Sequence, residues 1–489
     1  MSENAQIQTG HRHWVLIACM LAMFMAAIEV TIVATAMPTI MSELGGFNLL
    51  GWVFSIYLLT QAVTVPLYGR LADMWGRRRV FFIGTSLFLI GSLMCGFAHN
   101  MWVLILFRAI QGLGAGAIVP ISATIVADIY TPRERASVQG WLSSVWGVAA
   151  IVGPLSGAWL VQHFSWAVVF WVNLPIGLFS MLLLARYLPA LPSSEPAKTL
   201  NIRGCIWLMI TITLLLVALL QAEVLGWWLT GVALLAVFAG WILKRNEQRT
   251  PAPLFPPVIW QSRIQIAGNL GNVIIGAAMM GISAFLPTWI QGITGGSPLQ
   301  AGSALAMMSL GWPLASTLSG RLMLITSYRF TAVTGAFLLT LGSALLLLLH
   351  IHSPVWQAGV TAFVIGTGMG MTSTTFLVSV QNHAEYSVRG ICTASIMFSR
   401  MIGSAVGTAL MGAVLNFGLA QHLPHAQDPV QQIMSPERRE QLSQTVLEQL
   451  TQGIATSLHG VFLLALLIAL LTLWVGWMLP RQRPAGQGS

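Results

Sequence analysis

Residues 69–80 read GRLADMWGRRRV. Four arginines, Arg70, Arg77, Arg78 and Arg79, and one acid, Asp73, crowd into this stretch between two apolar runs at about 50–69 and 80–98. Each run has roughly the 20 residues needed to cross a hydrocarbon layer. Gly69 and Gly76 permit a tight turn, and Asp73 can accept backbone N–H groups at a helix start. A short basic loop between two spans belongs on the cytoplasmic side. That placement orients the rest of the chain.

Working outward, the composition agrees. Of 489 residues, 56% are hydrophobic and 8% charged, against about 25% charged in soluble domains. With a mean hydropathy of +0.77, an all-α polytopic membrane protein is expected. The net charge of +9 sits in short clusters between apolar runs, which is what membrane orientation requires, so no nucleic-acid partner is inferred. Cys19, Cys95, Cys205 and Cys392 fall in or at the ends of apolar runs without metal-ligand spacing, and read as small hydrophobes. No metal or cofactor is implied. The first run, from Trp14 to Met37, is too long for a signal peptide and reads as a retained span.

Fourteen such runs can be marked, at about 14–38, 50–69, 80–98, 101–127, 137–160, 166–188, 203–222, 227–243, 264–290, 299–320, 330–350, 354–380, 389–417 and 456–479. With a cytoplasmic N-terminus, every second loop should be basic. All but four of the 23 Lys and Arg residues comply. Of those four, Arg438 and Arg439 lie in a long outward loop, and Arg108 and Arg400 lie inside spans. Both termini are therefore expected in the cytoplasm.

Two Pro-containing polar stretches, 189–201 and 246–257, bracket the seventh and eighth spans. The expected organisation is a cytoplasmic N-terminus (1–13), a six-helix bundle (14–189), a linker with two extra transmembrane helices (190–262), a second six-helix bundle (263–480) with an outward loop 418–455, and a cytoplasmic tail (481–489). The bundles resemble each other. Gly69-Arg70-Leu71 recurs as Gly320-Arg321-Leu322, Gly114-Ala-Gly116 as Gly368-Met-Gly370, and Gly153 with Gly157 as Gly403 with Gly407. Repeated six-span halves are a transporter architecture that binds substrate near the midplane. In the outward loop, Ser435-Pro436 reads as a helix start, and Leu442, Val446, Leu450 and Ile454 suggest a short amphipathic helix on the outer surface.

Glu29, in AAIEVTIVATAMP (26–38), is the one acid well inside a span. It lies about 22 Å beyond Trp14, past the middle of a layer roughly 30 Å thick. A charge at that depth costs about 2.5–3.5 kcal/mol even on the lenient insertion scale, so the carboxyl must be neutral, paired or wet. Its protonation then depends on access from either side, which is the requirement for proton coupling. Arg108 and Arg400 are the buried countercharges, and either could pair with it. Gly153, Pro154 and Gly157 should bend the fifth span and let it pack tightly. Gly69, Asp73, Gly76, Arg77 and Arg78 read as a conformational latch at the cytoplasmic face, and Gln61, Gln111, Asn173, Asn269 and Asn272 as cavity-lining candidates.

GRLADMWGRRRV resembles the signature loop of the major facilitator superfamily. LFRAIQGLGAGA (106–117) is similar to its span-four motif and GVAAIVGPLSG (147–157) to its span-five antiporter motif. SWAVVFWVNLPIG (165–177) and AIEVTIVATAMPTI (27–40) resemble signatures of the fourteen-span drug:proton antiporters, the EmrB/QacA-like branch. Glu29 stands where that branch usually has Asp, Ala34 where Asn is common, and Ala149 and Ala158 replace flanking glycines. The resemblance implies a major facilitator fold of two six-helix bundles plus two inserted helices. It also implies that Arg108 modulates proton movement and that the Gly153-Pro154-Gly157 motif limits proton leak.

The expected function is proton-coupled multidrug efflux by alternating access from a bacterial inner membrane, acting on amphipathic, cationic or neutral lipophilic compounds. The alternatives are an exporter of one metabolite (a siderophore, fatty-acid derivative or amino acid) and a non-transporting receptor or sensor. No catalytic constellation stands out and no nucleotide-binding motif is present. The partners expected are protons, small-molecule substrates and the bilayer. The chain should function as a monomer, and the resemblance allows an adaptor or outer-membrane partner.

Overall fold

The computed structural model describes residues 9–44, 50–189, 201–220, 228–250, 262–424, 430, 433 and 443–482. Among these no strand occurs. The helices are α1 (Thr9–Leu44), α2 (Leu50–Trp75), α3 (Arg77–Cys95), α4 (Met101–Ile129), α5 (Pro132–His163), α6 (Ala167–Trp171), α7 (Asn173–Tyr187), α8 (Ile202–Leu220), α9 (Trp228–Arg249), α10 (Arg263–Thr288), α11 (Pro298–Ile325), α12 (Tyr328–Leu346), α13 (Val355–His383), α14 (Arg389–His422) and α15 (Gln444–Trp477). A π-turn, Trp289–Ile293, prolongs α10. Each apolar run of the sequence falls wholly or largely on helix. Nine helical stretches among the described residues are long and apolar enough to cross a membrane, or ten if the bent α5 is one span.

The chain divides into two compact units, residues 1–266 with 377–398 and 485–489, and residues 267–376 with 399–484. In the first, glycines set the packing. Gly112 and Gly116 of α4 press on Tyr57, Thr60 and Thr64 of α2, while Gly114 meets Gly84 and Phe88 of α3. Side chains at these positions would push the helices apart, so the span-four motif lets α4 lie between two neighbours at near-backbone distance. The second unit repeats the arrangement. Gly366 and Gly370 of α13 press on Met308 and Trp312 of α11, and Gly368 meets Gly335 and Leu339 of α12. Gly153 of α5 lies on Thr31 of α1, as Gly403 and Gly407 of α14 lie on Val273 and Ala277 of α10. The internal repeat is therefore a repeat of helix pairings.

α5 is bent, its arms Ser137–Ala150 and Leu155–His163 meeting at 42° around the Gly153-Pro154 segment. A proline there lacks the N–H that would continue the ladder. The amphipathic surface helix expected in the loop 418–455 is corrected. Val446, Leu450 and Ile454 form the first turns of the 34-residue α15, and Ser435, Pro436 and Leu442 lie outside the described residues. Leu450 and Ile454 are buried, in phase with the buried Leu458, Val461, Phe462 and Ala465. Their four-residue spacing is the start of the face that carries the last span into the core.

Candidate functional site

Glu29 is completely buried in the first unit. Its two carboxylate oxygens are held separately. Oε1 accepts from Arg108 Nη1 at 2.5 Å, and Oε2 accepts from Asn173 Nδ2 at 2.5 Å. Arg108 is itself 1% exposed. Its Nη1 also donates to Gln111 Oε1 at 2.8 Å, and its Nε to the Val53 carbonyl at 3.3 Å. The guanidinium lies 4.2 Å from the Tyr57 ring centroid, a cation–π contact in a dry setting.

Ser92 ties the network together. Its hydroxyl accepts from Gln111 Nε2 at 3.1 Å and from Asn173 Nδ2 at 3.0 Å, and donates to the Phe170 carbonyl at 2.8 Å. Five helices contribute: α1 (Glu29), α2 (Tyr57), α3 (Ser92), α4 (Arg108, Gln111) and α7 (Asn173). The close α2–α4 and α3–α4 packing brings the two α4 side chains, one turn apart, to the same point. Ile28, Ile32, Val33, Leu104, Ile105 and Phe170 surround it. In such surroundings an uncompensated charge is expensive, which is why every charged oxygen here has a donor. Two polar atoms keep no partner, Tyr57 OH and Asn173 Oδ1.

Of the sequence candidates, Glu29, Arg108, Gln111 and Asn173 therefore meet in one network. Gln61 is half-buried on α2 outside it. Asn269 and Asn272 are buried in the second unit. There Asn272 donates to the Gly268 carbonyl and accepts from Ser373 of α13, bonding helix to helix. Arg400 also belongs to the second unit. Tyr57 and Ser92 were missed by the sequence reading; an uncharged hydroxyl inside a span carries no cost that would mark it, as the charge of Glu29 does.

The GRLADMWGRRRV segment forms a second polar cluster. Gly76 adopts φ 89°, a left-handed conformation natural to glycine, and lets α3 start directly after α2. Asp73 Oδ1 and Oδ2 accept the backbone N–H groups of Gly390 (3.0 Å) and Ile391 (2.9 Å) at the start of α14, where a carboxylate complements the helix dipole. Arg77 lies 2.9 Å from Asp73. It also donates through Nε to Asp128 Oδ2 at 3.0 Å and through Nη2 to the Tyr386 carbonyl at 2.6 Å. Arg389 Nη1 donates to Asp128 Oδ1 at 2.6 Å. Arg78 instead donates to the Ala185 and Leu188 carbonyls, closing the end of α7. Gly69 sits against Gly390, Ile391 and Ala394. Burial pushes the Asp73 carboxyl up to about 7, with Arg77 and the two amides pulling the other way. The sequence reading did not foresee the Asp128 bridge; an acid at a span end next to a basic loop was its only signal.

All four cysteines are buried and free. Among the described residues no group of His, Cys, Asp and Glu could hold a metal ion.

Helices without strands among the described residues, internally repeated helix pairings and a buried acid–arginine pair define a class of membrane carrier, and the chain belongs to the Major Facilitator Superfamily, whose family model matches residues 19–408. The family is one of transporters rather than enzymes. Among curated proteins, the chain is 31% identical over 425 residues to the multidrug transporter protein MdtP of Bacillus subtilis (strain 168), covering 85% of this chain and 77% of that protein. It is 30% identical over 479 residues to multidrug resistance protein 3 of the same organism, covering 93% and 92%. Among solved structures, the human organic anion transporter MFSD10 (TETRAN) superposes with a TM-score of 0.63 over 94% of this chain and 99% of that one. At 15% identity this is a likeness of fold.

Proposed function

We propose that the protein is a proton-coupled exporter of amphipathic, lipophilic compounds, with fourteen spans and both termini on the cytoplasmic side of a bacterial inner membrane. The observation that carries the reading is the Glu29–Arg108 pair, sealed from the surface and braced by Asn173. When a proton reaches Glu29, the carboxyl loses its charge and its claim on Arg108, which then keeps Gln111 and the Tyr57 ring as partners. Losing the proton restores the pair. The proton at Glu29 and the substrate thus favour different states of the carrier, and exchange follows from that coupling. The two relatives with multidrug names support export of several compounds.

The domain limits drawn from the sequence, the latch role of Gly69, Asp73, Gly76, Arg77 and Arg78, and the leak-limiting role of Gly153, Pro154 and Gly157 belong to the same proposal. The test is exchange of a lipophilic dye for protons in proteoliposomes. Glu29→Gln should abolish uphill export driven by a pH gradient while dye binding persists. Full pH-driven export by that variant would refute the reading.

A further inference from the structure

The second unit carries a charge that its own sequence cannot balance. From Arg263 to the C-terminus the acids are Glu385, which belongs to the first unit, and Asp428, Glu437, Glu440 and Glu448. None lies deep in an apolar run. Glu385 precedes α14, and Glu448 is exposed near the outer start of α15. Yet Arg400 stands on α14, eleven residues after Arg389, about 16 Å along the helix and near the middle of a layer roughly 30 Å thick. The side chain is half-buried. Among the described residues, no hydrogen bond, ion pair or aromatic ring engages its guanidinium; its backbone carbonyl alone accepts, from Ser404. In the first unit, by contrast, Arg77, Arg108 and Arg389 each have a carboxylate within hydrogen-bonding distance.

Snorkelling serves arginines near helix ends, and Arg400 is far from both. It does not share the lipid-facing side either. Gly403 and Gly407, three and seven residues on, press against α10 at Val273 and Ala277, and the Arg400 carbonyl itself meets Gly276. Gly407, seven residues on, stands within about 20° of Arg400 around the helix, so the side of α14 that meets Ala277 is the side Arg400 shares. A guanidinium at this depth needs a counter-anion, and the first unit's buried acid is already held by Arg108 and Asn173.

We propose that Arg400 is a substrate-recognition residue and takes the carboxylate, or an equivalent anionic group, of an amphipathic substrate. This rests on the export reading and narrows it: the preferred compounds carry a negative group on a lipophilic body, rather than being cationic or neutral as the sequence suggested. A planar guanidinium offers paired donors matched to a carboxylate.

The test uses the purified full-length protein in detergent without a pH gradient, titrated with 11-(dansylamino)undecanoic acid and with its methyl ester. The pair differs in charge but little in apolar surface. The acid should bind roughly ten- to hundredfold more tightly than the ester, as expected of a charge-assisted hydrogen bond. Arg400→Gln should weaken the acid alone and erase the difference. Arg400→Lys should retain part of it, as a point charge without the fork. Equal binding of acid and ester by the native protein overturns the proposal, and no variant is needed to see it. An Arg400→Gln protein that binds the ester normally and still prefers the acid overturns it too. Glu29→Gln should keep the preference for acid, so loss of pH-driven export and loss of anion recognition are separately visible.

Discussion

Arg108 Nη1 donates to Glu29 Oε1 at 2.5 Å, with the two side chains 1% and 0% exposed. The pair is buried on every side, and each member has a further partner, Gln111 for the arginine and Asn173 for the carboxylate. Such a pair is costly to break from one side, because the survivor is left charged without water.

Arg108→Leu should therefore destabilise the protein by about 3–5 kcal/mol. Adding Glu29→Leu should recover part of that loss, since the orphaned carboxylate disappears. Thermal unfolding of the single and double variants in detergent gives the coupling. Strict additivity of the two substitutions would mean that the pair does not interact.

Asn173 donates to both Glu29 and Ser92. Asn173→Leu should cost about 1–3 kcal/mol by leaving polar atoms on α1 and α3 without that donor. The same variant should lower pH-driven export while passive dye binding changes little. An unaltered melting temperature together with unaltered export would remove Asn173 from the network.

Gly114 has no room for a side chain, because a Cβ there would meet the backbone of Phe88 and Gly84, whereas nothing lies within 4 Å of one added at Gly412. Gly114→Val should cost about 1–3 kcal/mol through overpacking. Gly412→Ala should stay within about 0.5 kcal/mol of the native protein, and the better helix propensity of alanine favours a slight gain. Comparable losses from both substitutions would indicate that close α3–α4 packing is not what the glycine serves.

The Asp73 carboxyl, beyond the apolar run 50–69, binds a proton more tightly when buried, at about 7, than when solvated, at 3.8. The buried arrangement is therefore fully favoured at low pH and loses that contribution as pH rises through 7. Maleimide labelling of Ser387→Cys, in the turn before α14, should accelerate between pH 6 and pH 8 more than in an Asp73→Asn background. Equal acceleration in both backgrounds would exclude Asp73 as the titrating group.

Much of this was legible in the chain. Helical class follows from hydropathy summed over about 20 residues, a local property that survives any tertiary arrangement. The paired glycine motifs, Gly114-Ala-Gly116 and Gly368-Met-Gly370, announced equivalent close packings because only a missing side chain permits them. The bend in α5 could be read from Gly153-Pro154, since a proline in a helix interior removes a ladder hydrogen bond and an adjacent glycine eases the kink. The stripe Val446–Leu450–Ile454 was misread because a four-residue period reports an apolar helical face without saying whether it lies on a surface or runs into a core.

Side-chain partners are a different kind of fact. Sequence alone established that one acid and two arginines lie inside the apolar runs, because depth along a helix is a matter of counting residues. It could not choose between Arg108 and Arg400, which are alike in chemistry and depth. Only the tertiary structure decided that α1, α4 and α7 converge, bringing Glu29 to Arg108 and Asn173 across 79 and 144 residues of chain, and that Asp128 bridges Arg77 and Arg389 across 51 and 261. The reason is physical: a hydrogen bond acts over about 3 Å, a distance fixed by which helix surfaces are smooth enough to touch.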